Sequence, residues 1–285
     1  MNPATAHSPQ PHPHQNQLLA ALTDADWESW RPQLELVDLR VGEMLCHSGG
    51  MPSHVIFPTT AVVSLLHLTR DGESAEFAVV GNDGMVGICV FMGGDTMHCN
   101  AQVQSAGQAY RLSAQVLKNT VLRASSVLNL LLRYTQALIV QMAQTAACNR
   151  HHSIDQQFSR RLLMALDRST SHEVAMTQEG LANLLGVRRE GVTAAALKLQ
   201  QAGVIRYSRG HICVLDRDRL EQRTCECYAA ARKEADRLLP ARDFLLSHPA
   251  AICGLQLSGQ QVVDDERFRA LPHGALQASS ADSAH

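Results

Sequence analysis

Leu185 to Ile205 reads LGVRREGVTAAALKLQQAGVI. Val192, Ala196, Leu197 and Leu199 recur at helical spacing and mark a buried face. The same helix opens with Arg188, Arg189 and Glu190 on consecutive positions. Two cations at the positive end of a helix dipole are slightly unfavourable unless an anion compensates them. Upstream, TQEGLANLL predicts a shorter helix with Thr177 as N-cap and Leu181, Ala182, Leu184 and Leu185 buried. Gly186 supplies the permissive backbone of a tight turn between the two helices. Downstream, GVIRYSRGHICVLD predicts a strand, a turn at Ser208-Arg209-Gly210 and a second strand. Two helices across a glycine turn, followed by a hairpin, make a winged helix-turn-helix.

In that motif the second helix enters the DNA major groove with its first residues against the bases. Arginine reads guanine through O6 and N7, and glutamate accepts from the cytosine amino group, so neighbouring Arg and Glu can read a G·C-containing step. The candidate DNA contacts are Thr177, Gln178, Arg188, Arg189, Glu190, Thr193 and Arg209, with Arg188 expected mainly on phosphate.

Between Leu36 and Leu112 the pattern is different. Short strands alternate with turns at Val41-Gly42-Glu43, Gly49-Gly50, Asp71-Gly72, Gly81-Asn82-Asp83-Gly84 and Gly93-Gly94-Asp95, which suggests a β-sandwich or barrel. Then SSVLNLLLRYTQALIVQMAQTAACNRHH, Ser125 to His152, runs for more than seven turns without Gly or Pro. Val127, Leu130, Leu131, Tyr134, Leu138, Met142 and Thr145 repeat at spacings of three and four. A helix apolar on more than one face needs cover from a second surface. A seam between two copies through Leu131, Tyr134, Leu138 and Met142 is the economical explanation.

The chain has 285 residues and 45% hydrophobic content, enough for two domains. No apolar run approaches the roughly 18–20 residues of a membrane span, and the N-terminus lacks a signal-like apolar stretch, so a soluble, cytoplasmic protein with no membrane partner is expected. Net charge is −2, but residues 151–219 carry 10 Lys and Arg against 7 Asp and Glu, the only basic segment. That excess is modest and by itself points only weakly to a polyanion. Eight cysteines are scattered singly except for Cys225-Glu226-Cys227, which lacks the C-x-x-C spacing of zinc or redox sites. They are expected to be free buried thiols, with no metal site. Residues 1–16, rich in Pro, His, Gln and Asn, are expected to form a flexible tail. Beyond a short helix near Phe244-Leu245, so is most of the C-terminal extension.

These marks together resemble the Crp-Fnr family of transcription regulators: RVGEML opening the strand region, the glycine-rich VVGNDGMVG, the long helix, and GVRREGVTAAALKLQQAGVI with its wing. The resemblance covers roughly residues 17–239. It implies an α+β chain with an N-terminal double-stranded β-helix, or jelly-roll β-roll, as sensor over residues 17–112. A dimerisation helix follows over 113–150, a winged helix-turn-helix over 151–225, and an extension over 226–285. It implies Arg189 and Glu190 as base readers, a homodimer on an inverted-repeat operator in double-stranded DNA, and RNA polymerase as a further partner. Where the family often carries another arginine in the recognition helix, this chain has Thr193-Ala194-Ala195.

Relatives that bind cyclic nucleotides place a Glu after a Gly to hold the ribose and an Arg-Ser pair to hold the cyclic phosphate. In MVGICVFMGGDTMHCNAQVQ, Ile88 follows Gly87, and Cys99-Asn100 stand in place of Arg-Ser. A buried phosphate without a cation is poorly compensated, so cyclic AMP is not the expected effector. The effector and any cofactor stay unknown; Gly87, Ile88, Cys99 and Asn100 mark the candidate pocket. The cysteine cluster of oxygen-sensing relatives is also missing from the N-terminus, which argues against an iron-sulfur cluster. Two other readings make different demands on the residues. A cupin-like metalloenzyme would need converging His and Glu ligands, and His47, His54, His67 and His98 lack that spacing. A β-roll interaction scaffold with a degenerate winged helix would show no salt-sensitive DNA binding.

Overall fold

A 3-10 turn at Pro13–Gln15 leads into α1 (Gln17–Ala20) and α2 (Asp24–Trp30) in the computed structural model, which describes residues 12–168, 173–208 and 210–239. Asn16 anchors this start of the chain to the strands that follow. Its side-chain oxygen accepts from the Leu18 and Leu19 amides, and its Nδ2 donates to the carbonyls of Pro58 and Gly84, each at 2.8 Å. Residues 12–16, expected in the flexible tail, are therefore tied to the β-roll through a fully buried side chain. Residues 1–11, the wing-tip Arg209 and the segment around Phe244-Leu245 lie outside the described residues.

Seven strands follow: β1 (Glu35–Leu39), β2 (Met44–Cys46), β3 (His54–Pro58), β4 (Val62–Leu68), β5 (Ser74–Val80), β6 (Asn100–Ser105) and β7 (Gly107–Ser113), with α3 (Cys89–Met92) between β5 and β6. They form two antiparallel sheets, ordered β1-β7-β3 and β2-β6-β4-β5. This is the expected β-roll. Val55, Phe57, Val63, Leu65 and Leu112 fill its core, and Trp30 closes one end with its ring centroid 5.9 Å from that of Phe57.

After α4 (Ala114–Val121), α5 (Ser125–His151) runs 27 residues, about 40 Å at 1.5 Å per residue. One face completes the β-roll core. Leu131, Tyr134 and Leu138, expected on a seam between two copies, are only 1%, 4% and 3% exposed within this single chain. The Tyr134 hydroxyl donates to the Met85 carbonyl at 2.8 Å. A Cβ at Gly84 would lie 2.4 Å from the tyrosine ring, so glycine is what lets the helix approach. Met142, half-buried, packs on the same core. Gln141 uses its amide like a short piece of strand, accepting from Val79 N at 2.7 Å and donating to Val79 O at 3.2 Å along the edge of β5. The apolar face of α5 that remains outside carries Leu132 and Ile139, 48% and 51% exposed, with Ala143 and Ala146 on the same stripe.

Ser153 then starts α6 (Ile154–Leu166) with a capping box to Gln156. β8 (Glu173–Ala175), α7 (Gln178–Leu185), α8 (Arg189–Gln201), β9 (Ile205–Ser208) and β10 (His211–Val214) complete the winged helix, its sheet ordered β8-β10-β9. Phe158, Leu162, Leu181, Val192, Leu199 and Ile212 form its core, and Val62 and Val79 of the β-roll belong to that same core. Two buried ion pairs join the same surfaces. Arg161 donates through Nη2 to Glu76 at 2.8 Å, and Arg168 Nη2 lies 2.8 Å from Asp83 Oδ2. Finally α9 (Arg217–Glu221) and α10 (Glu226–Leu238) follow, α10 lying back along α5. The extension expected from residue 226 thus begins with an ordered helix. Tyr228 fixes it by donating to Asp167 at 2.8 Å, beside Arg217.

Candidate DNA-binding interface

Thr177 caps α7 as expected, its hydroxyl accepting from Gly180 N at 3.0 Å. Gly186 sits at φ 63° and ψ 36°, the left-handed conformation that ends α7, and Val187 N closes the turn on Ala182 O at 3.0 Å. The turn delivers Arg188 as the N-cap of α8, with no side chain capping the helix. Arginine is a poor cap, so the first amides of α8 point outward without a side-chain acceptor, which suits an anion. Arg188, Arg189 and Glu190 are all exposed, and none forms an ion pair among the described residues. Lys198, also exposed on α8, is engaged by Asp155 at 2.7 Å.

Gln178 and Thr193 meet across the two helices, the Thr193 hydroxyl lying 2.8 Å from Gln178 Oε1 and 3.0 Å from Arg189 O. Of the expected contact residues, Gln178 and Thr193 thus meet beside Arg189, while Arg188, Arg189 and Glu190 are exposed at the start of α8. On the wing, Arg206 is exposed, alternating with buried Ile205 and half-buried Tyr207 on β9. The wing is held to the segment leading into α7 by Met176 N donating to Gly210 O at 2.6 Å and Tyr207 OH donating to Met176 O at 3.3 Å.

In the β-roll, Gly87 adopts φ 106°, and a Cβ there would stand 3.1 Å from Val55. Ile88, half-buried, packs on the core beside Cys89. The Cys99 thiol is pushed up to about 11 by burial, with smaller contributions from Cys46 and Cys89. Asn100 spends its Oδ1 on Ser48 N at 2.8 Å. Gly87, Ile88, Cys99 and Asn100 thus supply neither a cation for a phosphate nor a carboxylate for a ribose.

One group of possible metal ligands comes together in space that the sequence spacing does not show. The Sγ atoms of Cys148, Cys225 and Cys227 and a ring nitrogen of His152 lie within 4.8 Å of one another. The C-x-C pair was visible in sequence. Cys148 and His152, four apart and so on one helical face, were not connected to it because 77 residues separate Cys148 from Cys225.

Residues 36–124 match the family described as cyclic nucleotide-binding domain, and residues 156–223 match the Crp-like helix-turn-helix domain. Together they cover more than half of the chain. No curated protein matches the chain. Among solved structures, a Crp/Fnr-family transcriptional regulator from Eubacterium rectale is similar at 20% identity and a TM-score of 0.57, over 73% of this chain and 98% of that one. FixK2 from Bradyrhizobium japonicum is similar at 16% identity and a TM-score of 0.58, over 67% and 98%. The c-di-GMP-responsive global regulator CLP from Xanthomonas campestris is similar at 14% identity and a TM-score of 0.53, over 67% and 99%. No helix among the described residues is long and apolar enough to cross a membrane. With a β-roll of the cyclic nucleotide-binding type, a long connecting helix and a Crp-like helix-turn-helix in that order, the chain belongs to the Crp-Fnr family of DNA-binding transcription regulators.

Proposed function

We propose that the protein is a homodimeric, cytoplasmic regulator that binds an inverted-repeat operator through α8 and responds to an effector other than cyclic AMP. The observation that carries the DNA assignment is the start of α8: an uncapped helix end presenting Arg188, Arg189 and Glu190 free of ion pairs among the described residues. Arg189 reads a base, Glu190 reads a base on the opposite strand, and Arg188 meets phosphate. Two copies of α8 in a dimer would occupy half-sites about 34 Å apart, one turn of DNA. Contact with RNA polymerase would follow from the same role. The cupin-like alternative gains no support, since the one group of side chains suited to a shared metal among the described residues contains none of His47, His54, His67 or His98.

Selection of bound sequences from a random DNA pool by the purified protein tests the assignment, and recovery of an inverted repeat is expected. On the selected operator, Arg189→Ala should cost on the order of 1–3 kcal/mol per half-site and relax preference at one position. Arg188→Ala should weaken all sequences alike and lower the salt slope by about one per subunit. If Arg189→Ala weakens every sequence equally and keeps base preference, the division of roles is wrong.

The β-roll is expected not to bind cyclic AMP, because Ile88, Cys99 and Asn100 stand where the ribose and phosphate partners would be. Titration calorimetry with cyclic AMP should give no heat of binding at micromolar concentrations. A micromolar dissociation constant would overturn this.

A further inference from the structure

We propose that Cys148, His152, Cys225 and Cys227 bind one zinc ion that ties the end of α5 to the start of α10. Cys148 and His152 project from one face at the end of α5 and just beyond it, while Cys225 is the N-cap of α10 and Cys227 lies in its first turn. The three cysteines are 0%, 5% and 3% exposed and form a small cluster of their own. Cys148 Sγ stands 3.5 Å from Cys225 Sγ, and Cys227 Sγ stands 3.6 Å from His152 Nδ1. Donors bound to one tetrahedral zinc at its usual bond lengths are about 3.5–3.8 Å from each other. Those two pairs already have that spacing, and the widest separation in the set, 4.8 Å, closes with an adjustment of about 1 Å. Cysteines that each grip a different iron of a cluster must stand farther apart than two ligands of one ion, so the short sulfur–sulfur distance favours a mononuclear site.

The surroundings fit as well. His152 offers Nδ1 to the cluster while its Nε2 lies 3.3 Å from Glu226 Oε1. A carboxylate on the far nitrogen is the arrangement that orients a metal-bound imidazole. Three thiolates and Zn²⁺ carry a net charge of −1, and the thiol protons leave to solvent on binding. Arg160 supplies the balancing charge. It is 4% exposed, hydrogen-bonds Thr145 Oγ1 at 2.7 Å, and forms no ion pair with a carboxylate among the described residues. Its Nε is a buried donor without a partner. A buried guanidinium with no carboxylate in ion-pair contact among the described residues, beside three thiols, is better balanced when that cluster becomes anionic. Gln157 links the same corner to α6, donating to His152 O at 2.8 Å. The ion would therefore brace the corner where the sensor helix passes into the DNA-binding unit, a position separate from the operator contacts on α8.

The full-length protein, reduced and stripped with a chelator, would be titrated with Zn²⁺ and with Co²⁺ as a spectroscopic probe. One equivalent per chain is expected, with the intense visible bands of tetrahedral Co²⁺ and thiolate charge-transfer absorption in the near ultraviolet. Cys227→Ser should weaken binding at least 100-fold. Glu226→Gln should weaken it about 10-fold, and Cys46→Ser should leave it unchanged. No uptake by the reduced wild-type chain, or equally tight uptake by Cys227→Ser, overturns the site. So does a Cys148–Cys225 disulfide in protein whose reduced form takes no metal. Should the cysteine variants fail to fold, the wild-type Co²⁺ spectrum decides: absence of thiolate charge transfer rejects the proposal.

Discussion

Replacing Glu76 by Gln is expected to destabilise the chain by about 3–5 kcal/mol, the cost of leaving a buried charge without its partner. Glu76 on β5 and Arg161 on α6 have side chains only 5% and 4% exposed. Arg161 Nη2 donates to Glu76 at 2.8 Å and its Nε also faces the carboxylate, Ser64 donates to Glu76, and Gln104 Oε1 accepts from Arg161 Nη2. The Nη1 of Arg161 has no acceptor, so once the carboxylate is gone only neutral amide oxygens such as Gln104 Oε1 remain to face the guanidinium. Arg161→Met should cost a similar amount by stranding Glu76. Joining it with Glu76→Leu should recover most of the loss, because two apolar side chains in that space need no partner. Urea denaturation of the four proteins measures this directly. A Glu76→Gln protein within 1 kcal/mol of wild type would show that the pair is solvated and that the sensor and DNA-binding units are not locked through it.

That pair also shows where sequence stops being informative. The helix-turn-helix was legible because its determinants are local: a threonine cap, a glycine in the left-handed region and an apolar period, all between Thr177 and Ile205. The β-roll was legible as strands and turns, and its two-sheet form came with the family resemblance. Glu76 and Arg161 are 85 positions apart, and nothing in either neighbourhood marks them as partners. The four proposed zinc ligands escaped for the same reason, since two helices distant in sequence must meet before they form a set. Asn16 looked like part of a polar tail because one buried amide with four hydrogen bonds leaves no compositional trace.

The largest contrast is expected at two adjacent positions of α5. Periodicity marked the helix as apolar on more than one face, but it could not say which face the chain itself covers. Leu138 is 3% exposed against the β-roll core, whereas Ile139, about 100° round the helix, is 51% exposed. With Leu132, Ala143 and Ala146, Ile139 makes a stripe at spacings of seven, four and three, the pattern of a two-stranded seam. Leu138→Asp should therefore place an unpaired carboxylate in the core and cost more than about 4 kcal/mol, enough to unfold much of the protein. Ile139→Asp should leave the subunit folded, its intrinsic stability within about 0.5 kcal/mol of wild type. In a dimer it would bring two like charges together across the seam, so the variant should sediment as a monomer and lose cooperative binding to the two half-sites. Sedimentation and circular dichroism on both variants separate the outcomes. A folded Leu138→Asp monomer would return the seam to the inner face, and an Ile139→Asp protein that stays dimeric would move it off α5 altogether.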